Sequence, residues 1–439
     1  MDAVFLARLQ FAITVGFHFI FPPISIGLGW MLCIAEWLGW RNADPVYVEV
    51  GKLFGKLFAI TFSVGVATGI VMEFQFGTNW ATYSKFVGDI FGAPLAAEAV
   101  FAFFLESTFT GLYLFGRERV SKGTHWFSSL MVAVGATLSA FWIIAANSWQ
   151  QTPAGYAVRN GRAELTSFYA ALFNPSTLPR FFHTVTASLV TGAFIVAGVA
   201  AWHLLKDHQS PVGRKALRLG VAWGLVFACL EVMPFGHLHA QQVARTQPEK
   251  FAAIEGLYTS QRAAPLVLFG IPFSPPPAIK SSIEVPGLLS YMAFGDVTAH
   301  VQGIGEFPAE NRPPLWLTFV SFHNMVLLGM FFVAIMALCA FRLFSGKLYE
   351  DRRLLRILVW STPLPVVACQ LGWMAAEVGR QPWIVYKLLR TSEAASPTVS
   401  AREIAFSLSL LGLVYLALFV LWLFLMIRKA KLTPTTTAT

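Results

Sequence analysis

Residues 405–428 read AFSLSLLGLVYLALFVLWLFLMIR, a run in which the only charge is the terminal Arg428. About 20 consecutive apolar residues are enough for a helix to cross the hydrocarbon core of a bilayer. This run decides the fold class, because a soluble domain has no surface on which to place it. We predict an all-α integral membrane protein.

The composition of the whole chain supports this class. Of 439 residues, 56% are hydrophobic and 13% charged, whereas soluble domains average about 45–50% apolar and about 25% charged residues. Outward from the last run, the sequence contains nine such spans, at about residues 4–36, 53–77, 94–116, 125–149, 181–205, 218–238, 315–341, 356–378 and 405–428. We therefore predict nine transmembrane helices in a single membrane domain, 1–439.

Orientation follows from the charges beside the spans. Short loops on the cytoplasmic side of a membrane are rich in Lys and Arg. With the long interval 239–315 left out, seventeen Lys and Arg residues lie on the same side of the membrane as the C-terminus and nine lie on the other side. The N-terminus is predicted outside and the C-terminus inside, with 239–315, rich in Pro and Gly, as an outer loop between helices 6 and 7. The first span lacks a basic leader and is too long for a signal peptide, so it is expected to remain in the mature protein.

Several function classes are disfavoured. The net charge of +9 mostly reflects the topogenic bias and gives no indication of nucleic-acid binding. The chain has no G-x-G-x-x-G or G-x-x-x-x-G-K-[ST] loop, which disfavours nucleotide-driven transport. The four cysteines fall in predicted spans without C-x-x-C spacing and are interpreted as core residues: Cys33, Cys229, Cys339 and Cys369.

Polar residues inside the spans are the candidates for chemistry, because a charge at the centre of a span costs on the order of 2.5–3.5 kcal/mol. Glu98 and Glu106 are eight positions apart, about 80° around a regular helix and about 12 Å along it. They either line one wet path or form interhelical hydrogen bonds. His183 and Met325 are a candidate axial pair for haem iron, although either residue also suits core packing, as does His18.

The end of the eighth span reads Gly-Trp-Met-Ala-Ala-Glu-Val-Gly-Arg-Gln-Pro-Trp over residues 372–383. Glu377 and Arg380 are three positions apart and share a helix face. One of them could hold a metal or a proton while the other neutralises it or grips an acidic group.

These motifs resemble subunit I of the cytochrome bd-type quinol oxidases over essentially the whole chain. The resemblance rests on Gly-Arg-Gln-Pro-Trp at 379–383 and on matching blocks at 8–12, 65–69, 72–80, 88–94, 104–109 and 138–140. It implies that His183 and Met325 ligate a low-spin haem b. It also implies that His18 and Glu377 are axial residues of two further haems, a second haem b and a haem d or a third haem b. Which of the two holds the oxygen-reducing haem is left open.

The resemblance assigns four more residues. Glu98 and Glu106 match acidic residues that deliver protons to the oxygen site or compensate haem charge. Arg380 would hold a haem propionate, a task that suits a guanidinium. Trp373 matches an aromatic residue between haems.

In the outer loop, Gln247–Glu255 resembles the quinol-binding segment, with Lys250 and Glu255 at its Lys and Glu positions. Such groups can hydrogen-bond quinone oxygens and accept protons. Without the resemblance, this stretch would be interpreted as a solvated charged helix.

The chain departs from the family pattern at two places. It has Gly236-His237-Leu238-His239-Ala240 where Gly-Asp-x-x-Gly is common, and His323 where an Arg often precedes the low-spin haem's Met by two places. These differences favour the cyanide-insensitive branch of the family. A third expectation is geometric: if helices 5 and 7 both begin at the membrane surface, His183 and Met325 differ in depth by about 10 Å or more, so helix 7 is expected to project outward.

The implied activity is oxidation of ubiquinol or menaquinol at the outer face with reduction of dioxygen to water, in the bacterial cytoplasmic membrane. A proton motive force would arise from sided proton release and uptake, without pumping. The implied partners are a membrane-embedded subunit II and, left open, a very small third subunit. Two rival classes are an ion-coupled transporter, which predicts an inverted repeat that the halves lack, and a haem-copper oxidase, which needs clustered helical histidines.

Overall fold

The computed structural model describes residues 2–273 and 278–432. Over these residues, nine helices are long and apolar enough to cross a membrane, and each coincides with one predicted span. Helices 1 to 9 are Ala3–Arg41, Pro45–Thr78, Ala81–Phe115, Lys122–Gln151, Thr177–Lys206, Pro211–Thr246, Leu315–Phe344, Arg352–Val378 and Ala401–Ala430. The predicted all-α membrane fold is confirmed.

Helices 3 and 6 are longer than their apolar runs. Helix 3 begins at Ala81 rather than near residue 94, and helix 6 ends at Thr246 rather than near residue 238. Polar residues continue both helices beyond the apolar band, and hydropathy reports only the band. The long outer segment therefore begins at Gln247, eight residues later than predicted.

Four of the nine helices are interrupted. Helix 1 consists of Ala3–His18 and Phe21–Arg41, and helix 8 of Arg352–Ser361 and Leu364–Val378. Helices 3 and 6 each contain one π-helical turn, Glu98–Phe103 and Glu231–Gly236. Such turns often occur at functional sites, and each begins here with a glutamate.

Helix 5 is the centre of the bundle, with 78% of its most apolar 18-residue window buried, whereas only 11% of the corresponding window of helix 9 is buried. Helices 1 and 5 cross at Gly27 and Gly192. A Cβ at Gly27 would lie 2.2 Å from the carbonyl oxygen of Ser188 and 2.7 Å from the Cα of Gly192. Only glycine allows this backbone contact, which is a common way of packing membrane helices.

The segments between the helices contain short elements. Helical turns lie at Phe168–Leu172, Pro248–Glu255, Leu288–Phe294, Ile304–Glu306, Ala309–Asn311 and Thr391–Glu393. Antiparallel strand pairs join Tyr156–Arg159 with Arg162–Leu165, Gln261–Arg262 with His300–Val301, Leu266–Phe273 with Ala278–Val285, and Trp383–Val385 with Leu389–Arg390. All of these elements lie between helices 4 and 5, 6 and 7, or 8 and 9, at the end of the bundle predicted to be outer.

Candidate functional site

His18 lies at the break in helix 1 and faces helix 2. Its Nδ1 is 3.0 Å from the hydroxyl oxygen of Thr68, and a Cβ at Gly69 would lie 3.2 Å from its Cε1. The Thr68 hydroxyl itself lies 2.9 Å and 3.0 Å from the carbonyl oxygens of Val64 and Gly65. When the hydroxyl donates to one of those carbonyls, it accepts the N–H of His18. In that tautomer Nε2 keeps its lone pair, with which it can bind a metal.

His183 lies in the first two turns of helix 5 and faces the π-turn of helix 6. Its Nδ1 is 2.9 Å from the Oε1 of Glu231, although the ring N–H does not point along this contact. The ring of His239, one of the residues that depart from the family pattern, lies 5.2 Å from the His183 ring. Nδ1 of His183 and Oε2 of Glu231 are both buried without a hydrogen-bond partner, so this polar site is incomplete without a further group.

Met325 contacts helix 8. A Cβ at Gly372 would lie 2.8 Å from the Met325 Sδ, so the sulfur rests directly on the backbone of helix 8. Helix 5 starts at Thr177, four residues before its predicted start. Counted from the observed helix starts, His183 and Met325 differ in depth by about 6 Å. About half of the predicted mismatch came from placing the start of helix 5 too late.

Glu98 and Glu106 both face helix 4. Glu98 accepts a hydrogen bond from the Ser139 hydroxyl at 2.7 Å, and a Cβ at Gly135, one turn away from Ser139, would lie 3.0 Å from the Cβ of Glu106. The π-turn between the two acids acts as one inserted residue. It reduces their angular separation from the predicted 80° to about 20°, which places them along one seam.

Glu377 and Arg380 form a buried ion pair at the end of helix 8. The guanidinium donates to Oε2 of Glu377 at 2.5 Å and to the Trp383 carbonyl at 3.2 Å. Oε1 of Glu377 accepts only longer hydrogen bonds, from Asn147 at 3.3 Å and Gln151 at 3.4 Å. Oε1 is thus the oxygen that can exchange its partners at low cost.

Trp373 is one turn before Glu377 and packs toward helix 1. A Cβ at Gly16 would lie 3.8 Å from its ring. The side chain therefore lies between the end of helix 8 and the helix that carries His18. This is the position in which an aromatic residue would separate the two regions.

Lys250 is joined to the Glu377 site through one side chain. Its Nζ donates to the Gln151 Oε1 at 3.1 Å and to the Gln247 Oε1 at 3.4 Å, and the amide nitrogen of Gln151 donates to Glu377. Burial lowers the pKa of the Lys250 amine well below its ordinary value, and the nearby guanidinium of Arg180 lowers this pKa further. A buried amine that loses its proton readily can exchange protons with a ligand.

Glu255 ends the loop helix Pro248–Glu255, which starts with Pro at its first turn and stops at Gly256 with a φ of 68°. Both features are common helix boundaries. Glu255 is 5% exposed, and its Oε2 has no hydrogen-bond partner. Burial raises the pKa of its carboxyl group to about 8. Since Lys250 is also buried, at 6% exposure, the interpretation as a solvated charged helix is wrong.

His323 ties helix 7 to the outer hairpin. Its Nε2 lies 3.0 Å from the Val267 carbonyl and its Nδ1 lies 3.1 Å from the Phe319 carbonyl. Its ring stacks on the ring of Phe319 at 3.8 Å. In the position where the family pattern often has Arg, this chain thus has a histidine whose ring lies between two backbone carbonyl oxygens, and a neutral ring donates to one of them.

The sequence reasoning missed four side chains that complete these sites: Thr68, Gln151, Arg180 and Glu231. Thr68 lies in the matching block 65–69 and Gln151 lies just past the fourth predicted span, but nothing in their spacing indicates a partner on another helix. Glu231 is a lone carboxylate within an apolar run, and the cost of burying it is the signal that could have identified it. Arg180 lies three positions before His183. In the sequence it is one of the charges beside the spans that indicate orientation, and nothing there gives it a further role.

Comparisons with known proteins agree with the resemblance. A family model for cytochrome bd terminal oxidase subunit I matches residues 6–434. Cytochrome bd ubiquinol oxidase subunit 1 of Bacillus subtilis is 41% identical, covering 98% of this chain and 94% of that protein. Cytochrome bd-II ubiquinol oxidase subunit 1 of Escherichia coli is 34% identical, covering 99% and 97%. The structure of bd oxidase from Geobacillus thermodenitrificans superimposes with a TM-score of 0.92 at 33% identity, covering 98% of each chain.

Proposed function

Because the chain belongs to the cytochrome bd terminal oxidase subunit I family, we propose that it oxidises quinol at the predicted outer face and reduces dioxygen to water with protons taken from the inner side. Membership makes it a multi-pass enzyme of the bacterial inner membrane, with haem, quinol and a subunit II partner. Family membership also excludes the two rival classes, the ion-coupled transporter and the haem-copper oxidase. What we propose beyond family membership is the side of the membrane on which protons are released and taken up, the types of haem and the roles of individual residues.

The residues present fit haem. Around Glu377, the guanidinium groups of Arg380 and Arg180 and the buried amine of Lys250 face a single carboxylate. An uncompensated excess of buried positive charge is costly, and anionic propionates would balance it, with Arg380 as a guanidinium that can bind them. The buried atoms without hydrogen-bond partners at His183 and Glu231 also fit a haem site, as does His18 in the tautomer whose Nε2 can bind iron.

We assign His183 and Met325 to a low-spin haem b, and His18 and Glu377 to two further haems, a haem b and a haem d or a third haem b. Bound there, the haems would supply electron transfer and the binding of dioxygen. Thr68, by accepting the Nδ1–H of His18 at its hydroxyl, would hold the tautomer whose Nε2 binds iron. Trp373 lies between the Glu377 and His18 regions, where it would keep the macrocycles apart.

One observation carries the quinol site: Lys250 and Glu255, two of the three charged side chains of the loop helix, are both buried. An ammonium or carboxylate group is rarely buried without a partner or a task. A Glu255 carboxyl with a pKa of about 8 can take and release a proton near neutral pH, and burial lowers the pKa of the Lys250 amine, so that it releases its proton more readily than an exposed lysine does. Quinol hydroxyl groups would donate to them and lose their protons on the outer side.

Protons for water formation would come from the inner side along helix 3. Glu106 and Glu98 lie on one seam against helix 4, with the Ser139 hydroxyl donating to Glu98. Sided release and uptake separate charge without a pump. Each elementary charge moved across the membrane works against about 2.3 kcal/mol per 100 mV.

The family resemblance also suggests which quinol is used and how many subunits the complex has. The quinol is ubiquinol or menaquinol, and a very small third subunit would add to the subunit II partner.

The proposal is tested on the purified complex by a reduced-minus-oxidised spectrum with pyridine haemochrome analysis. About three haems per complex, of type b or of types b and d, are expected, and a colourless protein would refute the assignment. Lys250→Ala is expected to reduce quinol turnover while all haem bands remain. Lys280→Ala, which removes an exposed lysine of the same outer segment, is the matched control and should leave turnover unchanged. Loss of haem from the Lys250 variant alone would mean that the loop is structural.

A further inference from the structure

We infer that Glu231 is a positioning residue for His183 and holds the reduction potential of the low-spin haem down. This inference rests on the proposed function, because it requires His183 to be a haem ligand. Nothing in the family pattern described above includes a carboxylate at this place.

The position of Glu231 is set by the π-turn of helix 6. Glu231 begins that turn, and its Oε1 lies 2.9 Å from Nδ1 of His183, with the two side chains 15% and 20% exposed. The other polar groups near the His183 ring are His239, whose ring lies 5.2 Å away, and Arg180, three positions earlier on helix 5. Glu231 is the only anionic side chain in direct contact with His183 among the described residues.

The chemistry of an iron-bound imidazole explains the contact. A histidine that binds metal through Nε2 almost always donates its Nδ1–H to a carboxylate, a carbonyl or water, and this second contact fixes the ring orientation and raises the basicity of the ligand. In the structure, Nδ1 has come to 2.9 Å of the acceptor but the N–H is not aligned with it. A rotation of the ring about its Cβ–Cγ bond, as it turns Nε2 toward a metal, would complete the hydrogen bond and satisfy Nδ1.

The other predicted haem histidine offers an internal contrast. Nδ1 of His18 meets the neutral hydroxyl of Thr68, whereas Nδ1 of His183 meets a carboxylate. A charge-assisted hydrogen bond is about twice as strong as a neutral one. The two imidazoles should therefore differ in electron density, with His183 the stronger donor.

The sign of the effect follows from the charge. An anion beside the ligand stabilises ferric iron, which carries one more positive charge than ferrous iron, and so lowers the reduction potential. Axial ligation and hydrogen bonding to the ligand are two of the means by which a protein sets haem potential. His323, which replaces an Arg common in relatives, has both ring nitrogens within hydrogen-bonding distance of backbone oxygens, so no fixed guanidinium is available at that position to offset Glu231.

The test is a spectroelectrochemical titration of the low-spin haem band in the intact complex. Glu231→Gln keeps the shape and the acceptor oxygen but removes the charge. We expect its equilibrium constant for one-electron reduction to rise by about tenfold, which corresponds to about 59 mV. Glu231→Asp retains the charge and should restore most of the wild-type potential. Glu36→Gln neutralises a buried carboxylate that accepts from Tyr113 and Arg117 and is the matched control, with no shift expected.

The possible outcomes separate this inference from the proposed function. If His183→Leu leaves the low-spin band intact, the ligand assignment is wrong and both fail. If His183→Leu removes the band but Glu231→Gln leaves the potential at the wild-type value, only the inference fails. If Glu231→Gln and Glu36→Gln shift the potential equally, the effect is a general response to lost charge and the inference is overturned. Haem content, measured for each variant, identifies any protein that has not folded.

Discussion

Neutralising Glu255 should change how the stability of the loop helix Pro248–Glu255 depends on pH. The carboxyl group is buried without a partner for Oε2, and burial raises its pKa from 4.5 to about 8. Each tenfold change in proton affinity is worth about 1.4 kcal/mol, so keeping Glu255 ionised inside the folded loop costs about 5 kcal/mol. Glu255→Gln removes this cost because the amide does not ionise.

The sign of the pH dependence follows from proton counting. Between pH 4.5 and 8 the opened loop has an ionised Glu255 while the folded loop keeps the proton, so the folded loop loses about 1.4 kcal/mol of stability per pH unit. The loss stops above the folded pKa of about 8. Lys250, whose pKa is lowered, acts in the opposite direction between its folded and unfolded pKa values. That contribution is common to wild type and variant and cancels in their comparison.

Hydrogen exchange of the backbone amides of 249–256 measures the effect. At each pH, the ratio of the opening constants of wild type and Glu255→Gln cancels the intrinsic exchange chemistry. We expect this ratio to grow by about 400-fold from pH 5 to pH 8 and then to level off. A ratio that stays constant over this range would show that Glu255 is not a buried, protonated acid. Quinol turnover of the variant should fall at the same time, since the amide cannot accept a proton.

Three further outcomes are expected. Met325→Leu should abolish the low-spin haem band, because the side chain keeps its volume but loses the sulfur; an unchanged reduced-minus-oxidised spectrum would refute the ligand assignment. Glu106→Gln should slow oxygen consumption by about a hundredfold, the typical contribution of a proton-transferring group, while haem content measured by pyridine haemochrome stays constant; wild-type rates on an oxygen electrode would exclude Glu106 from the proton path. Gly27→Val should destabilise the complex by about 3 kcal/mol or more, since even its Cβ would lie 2.2 Å from the Ser188 carbonyl oxygen. Gly412→Val, whose Cβ would meet nothing within 4 Å, should leave the thermal unfolding temperature unchanged, and equal temperatures for both variants would contradict the packing of helices 1 and 5.

The candidate site was only partly predictable from the sequence. The predicted haem and quinol residues lie in recognisable motifs, and the structure joins Lys250 to Glu377 through Gln151. The sequence did not indicate that a π-turn would bring Glu98 and Glu106 to one face, since a regular helix puts them about 80° apart. A single inserted residue leaves no mark on an apolar pattern.

The sequence by itself determined the number and order of the membrane helices. The reason is local: in hydrocarbon, each apolar run must satisfy its backbone hydrogen bonds within itself, and length and hydropathy decide whether it can. The ends of the helices beyond the apolar band, such as the continuation of helix 6 to Thr246, are not constrained in this way.

Only the tertiary structure decided the partners of the polar residues. Thr68 beneath His18, Glu231 beside His183 and the buried pair Lys250 and Glu255 depend on which helix faces meet. Those faces are set by close backbone contacts such as Gly27 on Gly192, residues 165 positions apart in the chain. Contacts between such distant residues have no local signature, because the free energy that forms them comes from the packing of the whole bundle.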